Sequence, residues 1–382
     1  MKTLPHVVPI FFLNAVAQGS IFARIPDIQA SLGLNDFELG MALLGQPVGA
    51  ILSFLVSSLL VERFGTRLIC LLGNPGMALA MIFIAMAPNL PLVFTGFVLF
   101  GLCFGVANVA INVEADRFEA TGHRIMNTCH GTWSVGMLAT TIFSTVMRGL
   151  DVAPALHFTL VFPVVLVGIL LTAGRMQPAP PRGHGAAIGR HRIALPTVAT
   201  LLLLGYMLGS SLLEGGLRNW SVIFMRDSFS APEWVDTLTL PFFLVAQAAG
   251  RLLADRGVAR WGAVRLARGL AITALIGLVL VIVSPHLLLA LVGFSLIGLG
   301  VSVSFPLATS AAAQLGDRPA SENVAALTMS QQVLVLGAPA LLGLIAETGG
   351  IRVAFMALVP MLLLTIYQSR YLAPRQARDA TN

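Results

Sequence analysis

The chain has 382 residues, of which 57% are hydrophobic and 10% charged, with a formal net charge of +6. A soluble domain needs roughly 25% charged residues to cover its surface, so composition excludes a water-facing globular, disordered or nucleic-acid-binding protein. A bilayer-crossing helix takes about 20 mostly apolar residues, and twelve of them would leave only short loops and no separate soluble domain.

Apolar stretches predict helices at 6–24, 38–60, 68–87, 92–113, 128–147, 156–174, 195–217, 236–254, 266–284, 287–309, 326–346 and 353–372. The expected fold is therefore all-α integral membrane, with 12 transmembrane helices. The first stretch has the charged start of a signal peptide at Lys2 and small residues at 17–19, but it outruns a normal signal core. It is taken as a retained helix. Cys70, Cys103 and Cys129 lie far apart in apolar segments, without CxxC spacing. They read as small hydrophobes, and no metal site or cofactor is expected.

Between the sixth and seventh stretches lies a segment rich in Pro, Gly, His and Arg, read as a cytoplasmic linker over 175–194. It separates two six-helix halves, 1–174 and 195–382. With both termini cytoplasmic, 18 of the basic residues, Arg251 among them, fall on the inner side. Arg24, Arg148, Arg218, Arg226 and Arg352 fall outside. This positive-inside bias sets the orientation expected in a bacterial inner membrane, and it removes the reason to invoke nucleic acid.

The halves repeat. Arg63-Phe64-Gly65 and Arg260-Trp261-Gly262 stand 197 residues apart, as do Phe100-Gly101-Leu102 and Ile297-Gly298-Leu299. A parallel repeat of this kind is found in transporters whose substrate site lies between two halves near the bilayer midplane.

The segment Ser58-Leu59-Leu60-Val61-Glu62-Arg63-Phe64-Gly65-Thr66-Arg67 resembles the G-x-x-x-D-R-x-G-R-R/K loop of the major facilitator superfamily, with Ser for the first Gly and Glu for the Asp. A second copy reads Gly250-Arg251-Leu252-Leu253-Ala254-Asp255-Arg256, then Arg260-Trp261-Gly262, with the acid differently spaced. Ala23-Arg24-Ile25-Pro26, His130-Gly131-Thr132-Trp133-Ser134-Val135-Gly136, Glu214-Gly215-Gly216 and Trp220-Ser221 are similar to a bacterial branch related to rhizopine- and fucose-permease-like transporters. That resemblance implies small polar solutes, sugar- or polyol-like, moved with protons, and a monomer. It also implies a cytoplasmic gate built from Glu62, Arg63, Gly65 and Arg67 with Asp255, Arg260 and Gly262. These residues could equally serve only structure and topology.

Polar groups in the spans are the remaining candidates. A charge at mid-bilayer costs about 2.5–3.5 kcal/mol on insertion scales, so one that persists faces a cavity or a partner. Glu214, placed near the outer end of the seventh span, is the candidate proton-coupling acid. Its alternative is a local pair with Arg218 one turn later. Arg24 could pair with Glu214, bind an anionic substrate group, or sit in outer water beside Asp27. Asn14, Gln18, Gln46, Asn108, Asn112, Gln247 and Gln331 supply amides for a neutral polyhydroxy solute, or for helix packing. His130 and Trp133 share a helix face and could line a cavity, as could Trp220; either tryptophan could instead anchor at the interface.

The function expected is secondary active transport by alternating access, with symport favoured and a proton-driven exporter of drugs or metabolites as the alternative. A membrane-embedded enzyme or a sensor is remote, because the sequence shows no nucleophile–base constellation, no P-loop and no room for an output domain.

Overall fold

The computed structural model of the protein describes residues 6–119, 125–176 and 195–373. Lys2, most of the linker and the basic residues after 373 lie outside them. Every regular element among the described residues is helical. Among the described residues, eleven helices are long and apolar enough to cross a membrane. Four of them are α1 (Val7–Leu32), α2 (Asp36–Ser57), α3 (Leu59–Met86) and α4 (Leu90–Glu119).

Between α4 and α6 (Pro154–Arg175) runs α5, Met126–Gly149, with 24 residues. It is long enough to span but carries many hydroxyls. Those of Thr132, Ser134, Thr141, Ser144 and Thr145 donate to carbonyls three or four residues back on the same helix. Such internal bonds let a polar sequence sit in a bilayer as a helix. The second half supplies α7 (Val198–Ser228), α8 (Thr239–Trp261), α9 (Ala263–Val283), α10 (Leu287–Ala313), α11 (Glu322–Gly349) and α12 (Ile351–Leu372).

The helices form two compact units. One comprises 1–187 with 231–237, the other 188–230 with 238–382. The segment 231–237 joins α7 to α8 yet packs in the first unit. There Thr237 Oγ1 donates to Thr145 Oγ1 at 2.7 Å, and Glu233 reaches Arg148 at 3.4 Å.

Several helices outrun their apolar stretches, and this moves charged residues. α1 runs on to Leu32 through a 3-10 turn at Phe22–Arg24, so Arg24 is buried inside it rather than lying in an outer loop. α7 has 31 residues, with Glu214 16 positions from Val198 and 14 from Ser228. At 1.5 Å per residue that is about 24 and 21 Å from its ends. Glu214 and Arg218 therefore lie mid-helix, not near the outer end. Arg251 sits 12 residues into the 23-residue α8, not in an inner loop. A hydropathy reading stops at such residues because it cannot see that their partners lie on the same or the neighbouring helix.

The 197-residue repeat holds in three dimensions. Gly65 (φ 77°, ψ 155°) turns the chain near the start of α3, and Gly262 (φ 79°, ψ 156°) does so between α8 and α9. Both occupy a region that residues with a Cβ avoid. At Gly101 a Cβ would collide with the Gln46 carbonyl oxygen, and at Gly298 with that of Phe243. One turn further on, Gly105 packs on Ser53 in the first unit, whereas Gly250 packs on Ser302 in the second. The small and hydroxyl partners have exchanged helices while keeping the crossing. Close approach of this kind is what holds helices together where lipid and side chains are equally apolar.

Replacing Gly298 by Val should force α8 and α10 apart and cost about 1–3 kcal/mol or more. Thermal unfolding of the detergent-purified protein checks this. Gly269→Ala, where a Cβ meets open space, should melt like the wild type.

Candidate functional site

Each unit holds a cluster of charged side chains within its long apolar helices. In the second unit, Arg218 Nη2 donates to Glu214 Oε1 at 2.5 Å, with both side chains about one-fifth exposed. Arg251 and Gln247, from successive turns of α8, complete the surroundings of Glu214. The Arg251 Nε reaches the Ser302 carbonyl at 3.4 Å, at the edge of hydrogen-bond geometry. Gln247 is 2% exposed and its Nε2 approaches Glu214 without reaching close hydrogen-bond geometry; Arg218 Nε has no hydrogen-bond partner. Two guanidinium groups thus face one carboxylate. Asp255, one turn beyond Arg251, forms no ion pair with it among the described residues.

By the repeat, Arg251 and Gln247 correspond to Phe54 and Ala50 in the first half. The charge therefore belongs to one repeat only and is not part of the shared scaffold. Sequence reasoning passed over Arg251 because it matched the loop motif. The usable signal was an arginine flanked by Ala248-Ala249-Gly250 and Leu252-Leu253.

In the first unit, Asp27 bridges two buried arginines. It accepts from Arg24 Nη1 at 2.9 Å and from Arg148 Nη2 at 3.0 Å. Arg24 Nε donates to His157 Nδ1 at 3.1 Å, which leaves the histidine proton on Nε2. That nitrogen, like Arg24 Nη2 and Arg148 Nη1, is buried without a partner. Arg148 was assigned no role on sequence, and His157 was not noticed, because the contacts join α1, α5 and α6 over more than 100 residues. Arg24 thus has Asp27 and His157 as its hydrogen-bonding partners.

The amide candidates separate. Asn14 Nδ2 donates to Asn74 Oδ1 at 2.9 Å, and Asn74 in turn bonds the Cys70 carbonyl. Asn14 Oδ1 and Gln18 Oε1 are buried and unsatisfied. Asn112 Nδ2 bonds the Asn108 carbonyl at 2.8 Å, so that pair is satisfied on its own helix. Gln46 is half-buried and contributes its backbone oxygen to the Gly101 crossing. Gln331 is half-buried. His130 meets the Phe11 ring edge-on at 5.4 Å, with Trp133 half-buried one turn on. Trp220 is 1% exposed and its Nε1 has no partner, so it sits in the core of its unit and not at an interface.

At the Arg-Gly turns the two halves again match. Arg63 lies over the Phe64 ring and Arg260 over the Trp261 ring, each 5.5 Å from the centroid. Arg67 donates to the carbonyl of Gly174 at the end of α6, where carbonyls lack helical partners. Thr66 donates to the buried Glu114 at 2.7 Å, a residue not singled out on sequence. Glu62 and Asp255 are exposed. At the start of α11, Asn323 donates to Asp317 and accepts from Arg318, which also bonds the Leu195 carbonyl. The Asn323 amide holds the Asp317 carboxyl below its usual range.

A profile of the Major Facilitator Superfamily matches residues 7–337. The chain belongs to that superfamily, whose members are transporters and not enzymes. It is 28% identical over 348 residues to an uncharacterized transporter, y4wD, of Sinorhizobium fredii, covering 90% of this chain and 91% of the relative. A similar match, 28% over 363 residues, covers 94% of this chain and 92% of an uncharacterized MFS-type transporter of Yersinia pestis. Membrane protein MosC of Rhizobium meliloti is 27% identical, with 94% and 87% covered.

Among solved structures, the nucleoside transporter NupG superposes with a TM-score of 0.70 at 11% identity, over 96% of this chain and 97% of that one. A D-xylose–proton symporter gives 0.71 at 11%, over 96% and 94%. At such identities these structures share the fold.

Asp27→Asn should leave two buried guanidinium groups without their carboxylate and cost about 3–5 kcal/mol, seen as lower yield and melting temperature. The Glu233 carboxylate is 70% exposed, so Glu233→Gln should change stability by less than about 1 kcal/mol.

Proposed function

We propose that the protein is a secondary active carrier that moves a small polar solute across the bacterial inner membrane by alternating access, coupled to protons and in the direction of symport. The observation that carries this reading is Glu214. It is an acid at mid-helix, held by an arginine on its own helix and approached by a second from α8. In a cavity, such a carboxylate can exchange a proton as its partners shift. Asn14 and Gln18, with unmet oxygens inside the first unit, supply acceptors for solute hydroxyls.

The paired Arg-Gly turns act as cytoplasmic latches. Arg67 on Gly174 shows the type of bond involved, a guanidinium on a helix-end carbonyl. The carrier works as a monomer in the bilayer, with both termini in the cytoplasm.

A panel of sugars, polyols, amines and carboxylates, added singly to de-energised cells that overproduce the protein, tests this. A symporter draws protons in with its solute, so one compound should alkalinise the medium. Glu214→Gln should abolish the proton signal while solute counterflow persists. An exporter would give no alkalinisation but would collapse the pH gradient of acid-loaded everted vesicles. Proton movement and counterflow both unchanged in Glu214→Gln would remove Glu214 from the mechanism.

A further inference from the structure

The charge in the second unit does not balance. Arg218 and Arg251 bring two positive charges to mid-helix depth, and among the described residues Glu214 is the one carboxylate they share. Asp255, though a turn away from Arg251, makes no ion pair with it among those residues. A cation that has no carboxylate of its own within a membrane-spanning helix has to face a cavity or a ligand. No structural requirement explains it, because Phe54 and Ala50 occupy the positions of Arg251 and Gln247 in the other repeat.

The unmet groups are also of one chemical kind. Arg218 Nε is a donor without an acceptor, and Gln247 Nε2, in a side chain 2% exposed, has Glu214 as its one neighbouring acceptor but lies outside close hydrogen-bond geometry. Arg251 spends one nitrogen on a long contact to a backbone oxygen, and its side chain is exposed. A guanidinium offers five N–H donors in a planar fork that matches two oxygens of a carboxylate. Excess positive charge and excess donors call for the same ligand.

We infer that Arg251, with Gln247 and Arg218, forms a binding site for the anionic group of the solute, a small molecule bearing a single carboxylate. This rests on the carrier reading and deepens it. The carboxylate would meet the Arg251 fork, with Gln247 Nε2 donating beside it, and would bring the cluster to neutrality. Glu214 would remain the acid that competes with the solute for Arg218. Such a site prefers an acid over its alcohol analogue, because the alcohol leaves the positive charge uncompensated and the donors half-met.

The test is thermal unfolding of the purified full chain with matched pairs: D-gluconate and D-glucitol, D-glucuronate and D-glucose, glycerate and glycerol, benzoate and benzyl alcohol. Sodium chloride at equal concentration is added as a separate arm. At least one carboxylate should raise the melting temperature by roughly 2–4 °C in a concentration-dependent way, with no shift from its alcohol or from chloride. Arg251→Gln should lose that shift. Arg251→Lys, which keeps the charge without the fork, should retain a smaller one, and it decides the matter if the glutamine variant does not fold. The inference is overturned if chloride stabilises as well as the acid, or if Arg251→Gln retains the acid preference. Stabilisation by alcohols alone would overturn it and leave the carrier reading standing, whereas no stabilisation by any compound would count against both.

Discussion

The structure depends on what a bilayer does to an unpaired polar group. Lipid offers no hydrogen bonds, so each hydroxyl, amide and charge must find a partner within the protein or face a water-filled space. The hydroxyls of α5 meet this demand by bonding their own helix. Asp27 meets it for two arginines at once. Around Glu214, two arginines share one carboxylate, an arrangement that the equivalent positions of the other repeat do without.

Helix packing follows from the same constraint. With no hydrophobic drive between helices in lipid, cohesion comes from close backbone approach. Gly101 over the Gln46 carbonyl and Gly298 over that of Phe243 provide it at equivalent positions. The exchange of Gly105 and Ser53 for Ser302 and Gly250 shows that the crossing, and not the residue, is what the two repeats share. Upon that common frame the second unit carries Arg251 and Gln247 where the first has Phe54 and Ala50.

Much of this was legible in the sequence. Composition alone gave a polytopic membrane protein, and two short landmarks 197 residues apart gave the repeat, down to the matched turns at Gly65 and Gly262. What could not be read was depth. Arg24 and Arg218 stand where apolar runs end, so a hydropathy window closes the helix there, and Arg251 counts with the inner charges although its apolar run extends to 254. Their partners in space, His157 for Arg24 and Glu214 for Arg251, lie on other helices, and no local pattern reveals them. Trp220 lies inside α7, which continues to Ser228, so its interface alternative falls for the same reason.

The account turns on the α7 face that bears Ser211, Glu214 and Arg218 opening to water at mid-membrane depth. A cysteine at Ser211, in a protein whose Cys70, Cys103 and Cys129 are replaced by alanine, measures this directly in sealed vesicles. Reaction with a membrane-impermeant sulfonate thiol reagent, slowed by a solute that the protein binds, is the result the account predicts. Reaction only with a lipid-soluble maleimide, unaffected by solute, would contradict it.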